Sequence, residues 1–287
     1  QPGSGPFLKQ VSFIDGKILH GSGACVPVDD LGLQRGYAVF DYARAYHGNL
    51  FHVRDHLARF RQSAAALRLA LKYTDDEIVG IAKKLVGEMA RSGVNDPGLR
   101  FLLTGGSAHA SPLLENPRFI LIAEELPTYP ADMYTKGVKL ATFEFQRDLS
   151  RVKTTNYMNA FRLEPLKREA NAFSILYHWR NKVLECPRDN FFVIRDDTLA
   201  TPGDNVLQGI TRRIVLDLAR DIMETEERDV ELRELDDADE AFISSTSMQI
   251  VPVVQIDDRR IGDGDVGEHT RAIMARFDEY VRSYEME

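Results

Sequence analysis

Four groups of residues carry side chains whose types and spacing could do chemistry. Lys153 stands in Arg151-Val152-Lys153-Thr154-Thr155-Asn156-Tyr157. A lysine amine forms a Schiff base with a carbonyl compound when its site is partly desolvated and a polar neighbour lets it lose its proton. The plainer reading is a surface lysine at a helix start. Glu185 lies in Val183-Leu184-Glu185-Cys186-Pro187-Arg188-Asp189-Asn190-Phe191-Phe192. A carboxylate in so apolar a stretch needs a partner, because burying it alone is costly. A protonated ring nitrogen is one candidate partner and Arg188 is another.

Gln208-Gly209-Ile210-Thr211-Arg212 opens an amphipathic run. A glycine and then a hydroxyl residue at a helix start present unpaired N–H groups and the positive dipole end, which suit a phosphate. An ordinary threonine cap would look the same. Ser244-Ser245-Thr246-Ser247 closes a strand-like run. Its hydroxyls suit an anion, or a turn in water.

The elements that must position these groups mix strand and helix. Phe13 to Lys17 reads as a tight turn between short strands. Val39–Tyr46 and Leu50–Val53 read as a hairpin about His47-Gly48-Asn49. A helix is expected from about Asp55, with Leu57, Phe60, Ala64 and Leu67 on one face, and a second from Asp76 to Arg91. Leu99–Thr104 and Arg118–Glu124 look like strands. Pro127-Thr128-Tyr129-Pro130 disfavours both helix and central strand and is the best linker candidate. Beyond it, strands are expected at Gly137–Phe145, Asn190–Arg195, Thr198–Thr201 and Ala241–Ser245. Helices are expected at Glu164–Ala172, Thr211–Ile222 and Val266–Tyr284. The mixture predicts an α+β fold in two domains, residues 1–126 and 136–287, joined by a linker at 127–135.

Composition narrows the function classes. The chain has 287 residues, a formal net charge of −8 and two cysteines, Cys25 and Cys186. The negative charge disfavours nucleic acid and anionic membrane as partners. Two cysteines make neither a disulfide framework nor a metal cluster, so no metal is expected and a reducing cytoplasm fits. No apolar run approaches the roughly 18 residues that read as a membrane span. The Gly/Pro-rich residues 1–9 lack the apolar centre of a signal peptide.

The order of the motifs is more telling than any one of them. A lysine is followed by Glu-x-x-x-x-Asn-x-Phe, by Thr-Pro with Leu-x-Gly-Ile-Thr-Arg, and by Ser-Thr-Ser with Val-Pro-Val. From Phe13 to about Phe277 the chain resembles the class IV aminotransferases, the fold-type-IV pyridoxal-phosphate enzymes. These include D-amino acid, branched-chain and (R)-selective amine transaminases and aminodeoxychorismate lyases. The resemblance implies a small N-terminal α/β sandwich and a larger domain with a β-barrel-like core. It implies pyridoxal 5'-phosphate between them, and a homodimer whose neighbouring subunit lends a loop to each pocket.

Carried over residue by residue, it implies that Lys153 holds the cofactor as a Schiff base and shuttles the α-proton. Glu185 would meet the pyridine nitrogen, and Leu207 would stack on the ring. Arg59, Gly209, Ile210, Thr211 and Thr246 would hold the phosphate. Tyr157 would touch the cofactor's phenolic oxygen, although its spacing from the lysine is one residue shorter than in branched-chain enzymes. On the substrate side it implies Arg35, Phe40, Arg44, Arg100, Ser245 and Ser247.

The Arg-x-His pair usual in D-amino acid transaminases is replaced here by Thr104-Gly105-Gly106-Ser107-Ala108-His109. Arg100 and Arg44 match branched-chain enzymes, whereas the C-terminal third, with Ile256–Ile261 and Val266–Arg271, follows the D-amino acid pattern. The expectation is an atypical D-amino acid transaminase working with a 2-oxo acid. Branched-chain L-amino acid or (R)-amine transamination is the alternative. Lyase-like chemistry, or binding without catalysis, lies further off.

Overall fold

A computed structural model of the chain describes residues 9–110 and 114–285. Nearly all of the Gly/Pro-rich N-terminal stretch thus lies outside the described residues. The chain forms two compact units. The first takes the chain up to Thr128, the segment Val152–Asn156 and the end from Tyr284; the second takes Tyr129–Arg151 and Tyr157–Ser283.

In the first unit the elements run β1 (Gln10–Ile14), β2 (Lys17–His20), α1 (Leu31–Arg35), β3 (Ala38–Tyr46), β4 (Asn49–Phe51), α2 (Val53–Ala66), α3 (Asp75–Arg91), β5 (Gly98–Thr104) and β6 (Arg118–Glu124). The six strands form one antiparallel sheet in the order β2-β1-β6-β5-β3-β4. Strand alternation sorts β3 into two faces. Val39, Ala43 and Ala45 are wholly buried in a core with Leu57 and Phe60 of α2 and Leu85 and Met89 of α3. Phe40, Tyr42 and Arg44 take the opposite face. α3 begins at a capping box, in which Thr74 Oγ1 accepts the Glu77 N–H and the Glu77 carboxylate accepts the Thr74 N–H. That arrangement satisfies two of the otherwise unpaired donors at the helix start.

The second unit runs α4 (Asp132–Thr135), β7 (Val138–Glu144), α5 (Met158–Arg162), α6 (Glu164–Glu169), β8 (Ser174–Trp179), β9 (Lys182–Val183), β10 (Asn190–Arg195), β11 (Thr198–Thr201), α7 (Ile210–Ala219), β12 (Glu224–Glu227), β13 (Val230–Glu231), β14 (Glu240–Ser245), β15 (Gln249–Ile256), β16 (Arg259–Arg260) and α8 (Glu268–Ser283). Its mixed sheet has the order β12-β11-β10-β14-β15-β7-β8-β9-β13, with β16 on β15, and curls into a half barrel. The α+β class expected from sequence is observed.

Several local expectations need correction. The helix expected over Thr211–Ile222 is α7, which starts one residue earlier and stops at Ala219. The helix expected to reach Ala172 stops at Glu169. The hairpin at β3–β4 turns on two residues, not three, because Tyr46 pairs with Asn49. Asp15-Gly16, His47-Gly48, Arg180-Asn181 and Asp196-Asp197 each place two residues at positive φ between paired strand ends. Turns of that hand match the twist of the flanking strands. Strand β15 went unread because Pro252 cannot donate to a ladder. Its pairing with β7 begins only at Val253, so at Pro252 the ladder runs to β14 alone. No helix among the described residues is long and apolar enough to cross a membrane.

Candidate active site

In the first unit the site grows from the two faces of β3. Facing the helices, α2 carries a polar stripe on its buried side: His56, Arg59 and Ser63, all under 10% exposed. Spacings of three and four residues put them on one face. Asp41, fully buried on β3, receives the stripe. Its carboxylate accepts Arg59 Nε at 2.8 Å, Arg59 Nη2 at 2.8 Å and His56 Nδ1 at 2.7 Å. Burial alone would raise the Asp41 pKa. The Arg59 guanidinium, with the hydrogen bonds from Arg59 and His56, outweighs it and holds the group far below the ordinary carboxylate range. Burial also drives the His56 pKa down, helped by the charges of Arg59 and Lys153 and opposed by Asp41. A neutral His56 must therefore carry its proton on Nδ1 to serve an acceptor-only carboxylate.

Lys153 is built in one helical turn further along the same stripe. Its backbone N–H donates to Ser63 Oγ at 3.1 Å, and its carbonyl accepts the Phe40 N–H at 2.9 Å. Thr154 bridges Val39, so the lysine lies on extended chain against the end of β3, not at a helix start. Its Nζ sits 4.8 Å from the Phe40 ring centre, on the sheet face opposite the helices. That face also holds Arg100, whose guanidinium carbon is 4.8 Å from the Tyr42 ring and 5.9 Å from the Phe40 ring. Arg44 lies 4.0 Å over the Tyr46 ring. Of the predicted substrate residues, Phe40, Arg44 and Arg100 thus share a face. Arg35 is exposed at the end of α1 and bonds the Gln34 carbonyl.

In the second unit Glu185 is 5% exposed. Its partner is Arg147, which reaches Oε1 through Nε at 3.0 Å and through Nη2, and not Arg188. The other oxygen accepts the Leu207 N–H at 3.0 Å and Asn190 Nδ2 at 3.2 Å. Asn190 also holds the Leu207 carbonyl at 2.8 Å. A Cβ at Gly209 would fall 2.1 Å from Asn190 Oδ1, which is why the loop before α7 needs glycine there. Gly209 is the α7 cap and offers no side chain to the first N–H groups, those of Ile210 and Thr211. Thr246, Ser247 and Met248 form the turn between β14 and β15, and the Ser244 and Ser245 hydroxyls are buried with no hydrogen-bond partner. Burial of the Tyr157 phenol raises its pKa against the opposing charges of Arg147 and Arg188, so it remains a hydrogen-bond donor.

Sequence reasoning assigned no role to Arg147, and Asn190 entered it only as the asparagine of the Glu-x-x-x-x-Asn motif; it also missed His56 and Ser63. The spacing of residues 56, 59 and 63, which falls on the same side of the helix as its apolar residues Leu57, Phe60 and Ala64, was the one available signal for the last two. The lowered His56 pKa has a consequence for stability. An unfolded histidine titrates near 6.5. Below that pH the unfolded chain takes up a proton that folded His56 refuses, so this group's contribution falls as pH falls. The thermal midpoint of His56→Asn is expected to decline less than that of the parent between about pH 6.5 and 5. Parallel declines would contradict the assignment.

The first unit thus holds a lysine fixed through its backbone, and the second holds a buried carboxylate anchored by an arginine, a helix start without a side-chain cap, and two buried hydroxyls without a hydrogen-bond partner. The description amino-transferase class IV belongs to the family model that matches residues 38–256. D-alanine aminotransferase from Staphylococcus haemolyticus is 31% identical over 278 residues, covering 94% of this chain and 98% of that protein. D-alanine aminotransferase from Listeria monocytogenes is 28% identical, covering 93% and 95%. The branched-chain aminotransferase of Thermoproteus uzoniensis, solved with norvaline, superposes with a TM-score of 0.82 at 27% identity, covering 95% of each chain. The chain belongs to the class IV aminotransferases. It is a pyridoxal-phosphate-dependent aminotransferase, with an amino donor and a 2-oxo acceptor as its substrates.

Proposed function

We propose that the protein moves an amino group between a D-amino acid and a 2-oxo acid. The observation that carries this reading is the placement of the Lys153 amine and the Arg100 guanidinium against one phenyl ring, Phe40. A reacting amine and a fork suited to a carboxylate are thereby set a single aromatic ring apart. The near-full-length similarity to D-alanine aminotransferases supports the choice of hand.

Bound pyridoxal phosphate supplies an electron-withdrawing ring that stabilises negative charge on the carbon losing its proton. The chain's residues do the rest. Lys153 would hold the cofactor covalently and move the proton at the substrate α-carbon. Glu185 would keep the ring nitrogen protonated, and Tyr157 would donate to the phenolic oxygen. Arg59, oriented by Asp41, and the Ile210 and Thr211 N–H groups would take the phosphate with Thr246, and Leu207 would pack on the ring. Arg100 holds the substrate carboxylate, with Arg44, Ser245 and Ser247 around it. Arg35, exposed on α1, is the residue a homodimer would offer to the neighbouring subunit's pocket. A cytoplasmic setting suits these small soluble substrates.

Half-reactions with D-alanine, L-leucine and (R)-1-phenylethylamine, followed through the cofactor spectrum, test the reading. D-alanine is expected to convert the cofactor fastest. Faster conversion by L-leucine would replace it with the branched-chain reading, to which Arg44 and Arg100 also conform.

A further inference from the structure

The Arg100 guanidinium is already occupied on one edge. Its Nη2 donates to Glu124 Oε1 at 2.6 Å, and among the described residues it makes no other hydrogen bond. The strand register explains the pair. Arg100 on β5 stands opposite Ile122 of β6, and Glu124 is two residues along on the same face. Long side chains reach such diagonal neighbours. Gly98, opposite Glu124, leaves room for the Tyr42 ring, since a Cβ there would fall 2.0 Å from the Tyr42 hydroxyl. Tyr42 and Phe40 then flank the guanidinium while Glu124 ties its end. Both partners are only part-buried, with side chains 36% and 23% exposed, so the pair can open at modest cost.

We propose that Glu124 is a specificity-determining residue that competes with the substrate carboxylate for Arg100. It neutralises the guanidinium when no acid is bound and must give way when one binds. The pair therefore weakens the advantage that an amino acid has over an amine lacking a carboxylate. This rests on the reading of Arg100 as the carboxylate holder.

The test uses the cofactor-loaded enzyme with D-alanine and with (R)-1-phenylethylamine as donors. Glu124→Gln is expected to lower the KM for D-alanine roughly three- to tenfold, as one negative charge leaves the site. The KM for the amine should stay within about twofold. In Arg100→Leu, adding Glu124→Gln should change nothing, because the residue competed for is gone. Glu124→Thr, whose side chain suits a strand, serves as a second neutral variant should Glu124→Gln fail to fold by thermal unfolding. A KM for D-alanine that rises or stays level in the neutral variant, or falls equally for both donors, overturns the proposal. If Arg100→Leu raises the D-alanine KM while Glu124→Gln does nothing, this inference alone fails. If Arg100→Leu affects neither donor, the role given to Arg100 fails with it.

Discussion

Lys153→Ala is expected to abolish amino transfer while leaving the fold in place. The two hydrogen bonds that fix this residue come from its backbone: the N–H to Ser63 and the carbonyl to Phe40. Alanine keeps both. What disappears is the amine that lies over the Phe40 ring. On the role proposed for Lys153, the covalent hold on the cofactor and the group that moves the α-proton go with it, and general acid–base catalysis alone is worth about 10²–10⁴ in rate. A loss of at least roughly a thousandfold is therefore expected. The absorbance of the lysine-bound cofactor should vanish, with a thermal midpoint close to the parent's. Turnover within about tenfold of the parent and an unchanged spectrum would show that another amine does the work.

The second large effect is expected from Glu185→Gln. Glu185 receives four donors: two from Arg147, the Leu207 N–H and the Asn190 amide. A glutamine offers one acceptor oxygen and turns an N–H₂ toward the remaining donors. It can serve Arg147 or the Leu207–Asn190 side, not both, and at this burial the unmet donors cost about 1–3 kcal/mol. The chemical effect is larger. On the role proposed for Glu185, loss of the carboxylate charge would leave the ring nitrogen without the partner that keeps it protonated, and the half-reaction should slow on the order of a hundredfold or more. The measurement is the single-turnover rate at saturating cofactor, which separates slow chemistry from weak binding. A rate within about twofold of the parent would assign Glu185 to holding the loop before α7 and nothing more.

The sequence by itself carried the family and the α+β class. Lys153, Glu185 and the Gly-Ile-Thr start of α7 stood out as candidates because each signal is local: a glycine at a helix cap, a carboxylate in an apolar run, a fixed order along the chain. Most strands and both long helices of the first unit were legible for the same reason, since their periodicity is local. Only the tertiary structure decided the partners. Arg147 reaches Glu185 across 38 positions of sequence, and Asp41 gathers residues 15 and 18 positions away. Arg100 meets Glu124 because two strands are paired in one register. A charged side chain in a sequence advertises a need for an opposite charge but not which one will satisfy it. That choice follows from strand register and helix packing, which are set by burial of the whole apolar pattern, so the lysine's place on a strand edge and the acid beside Arg100 emerged only when the sheet was assembled.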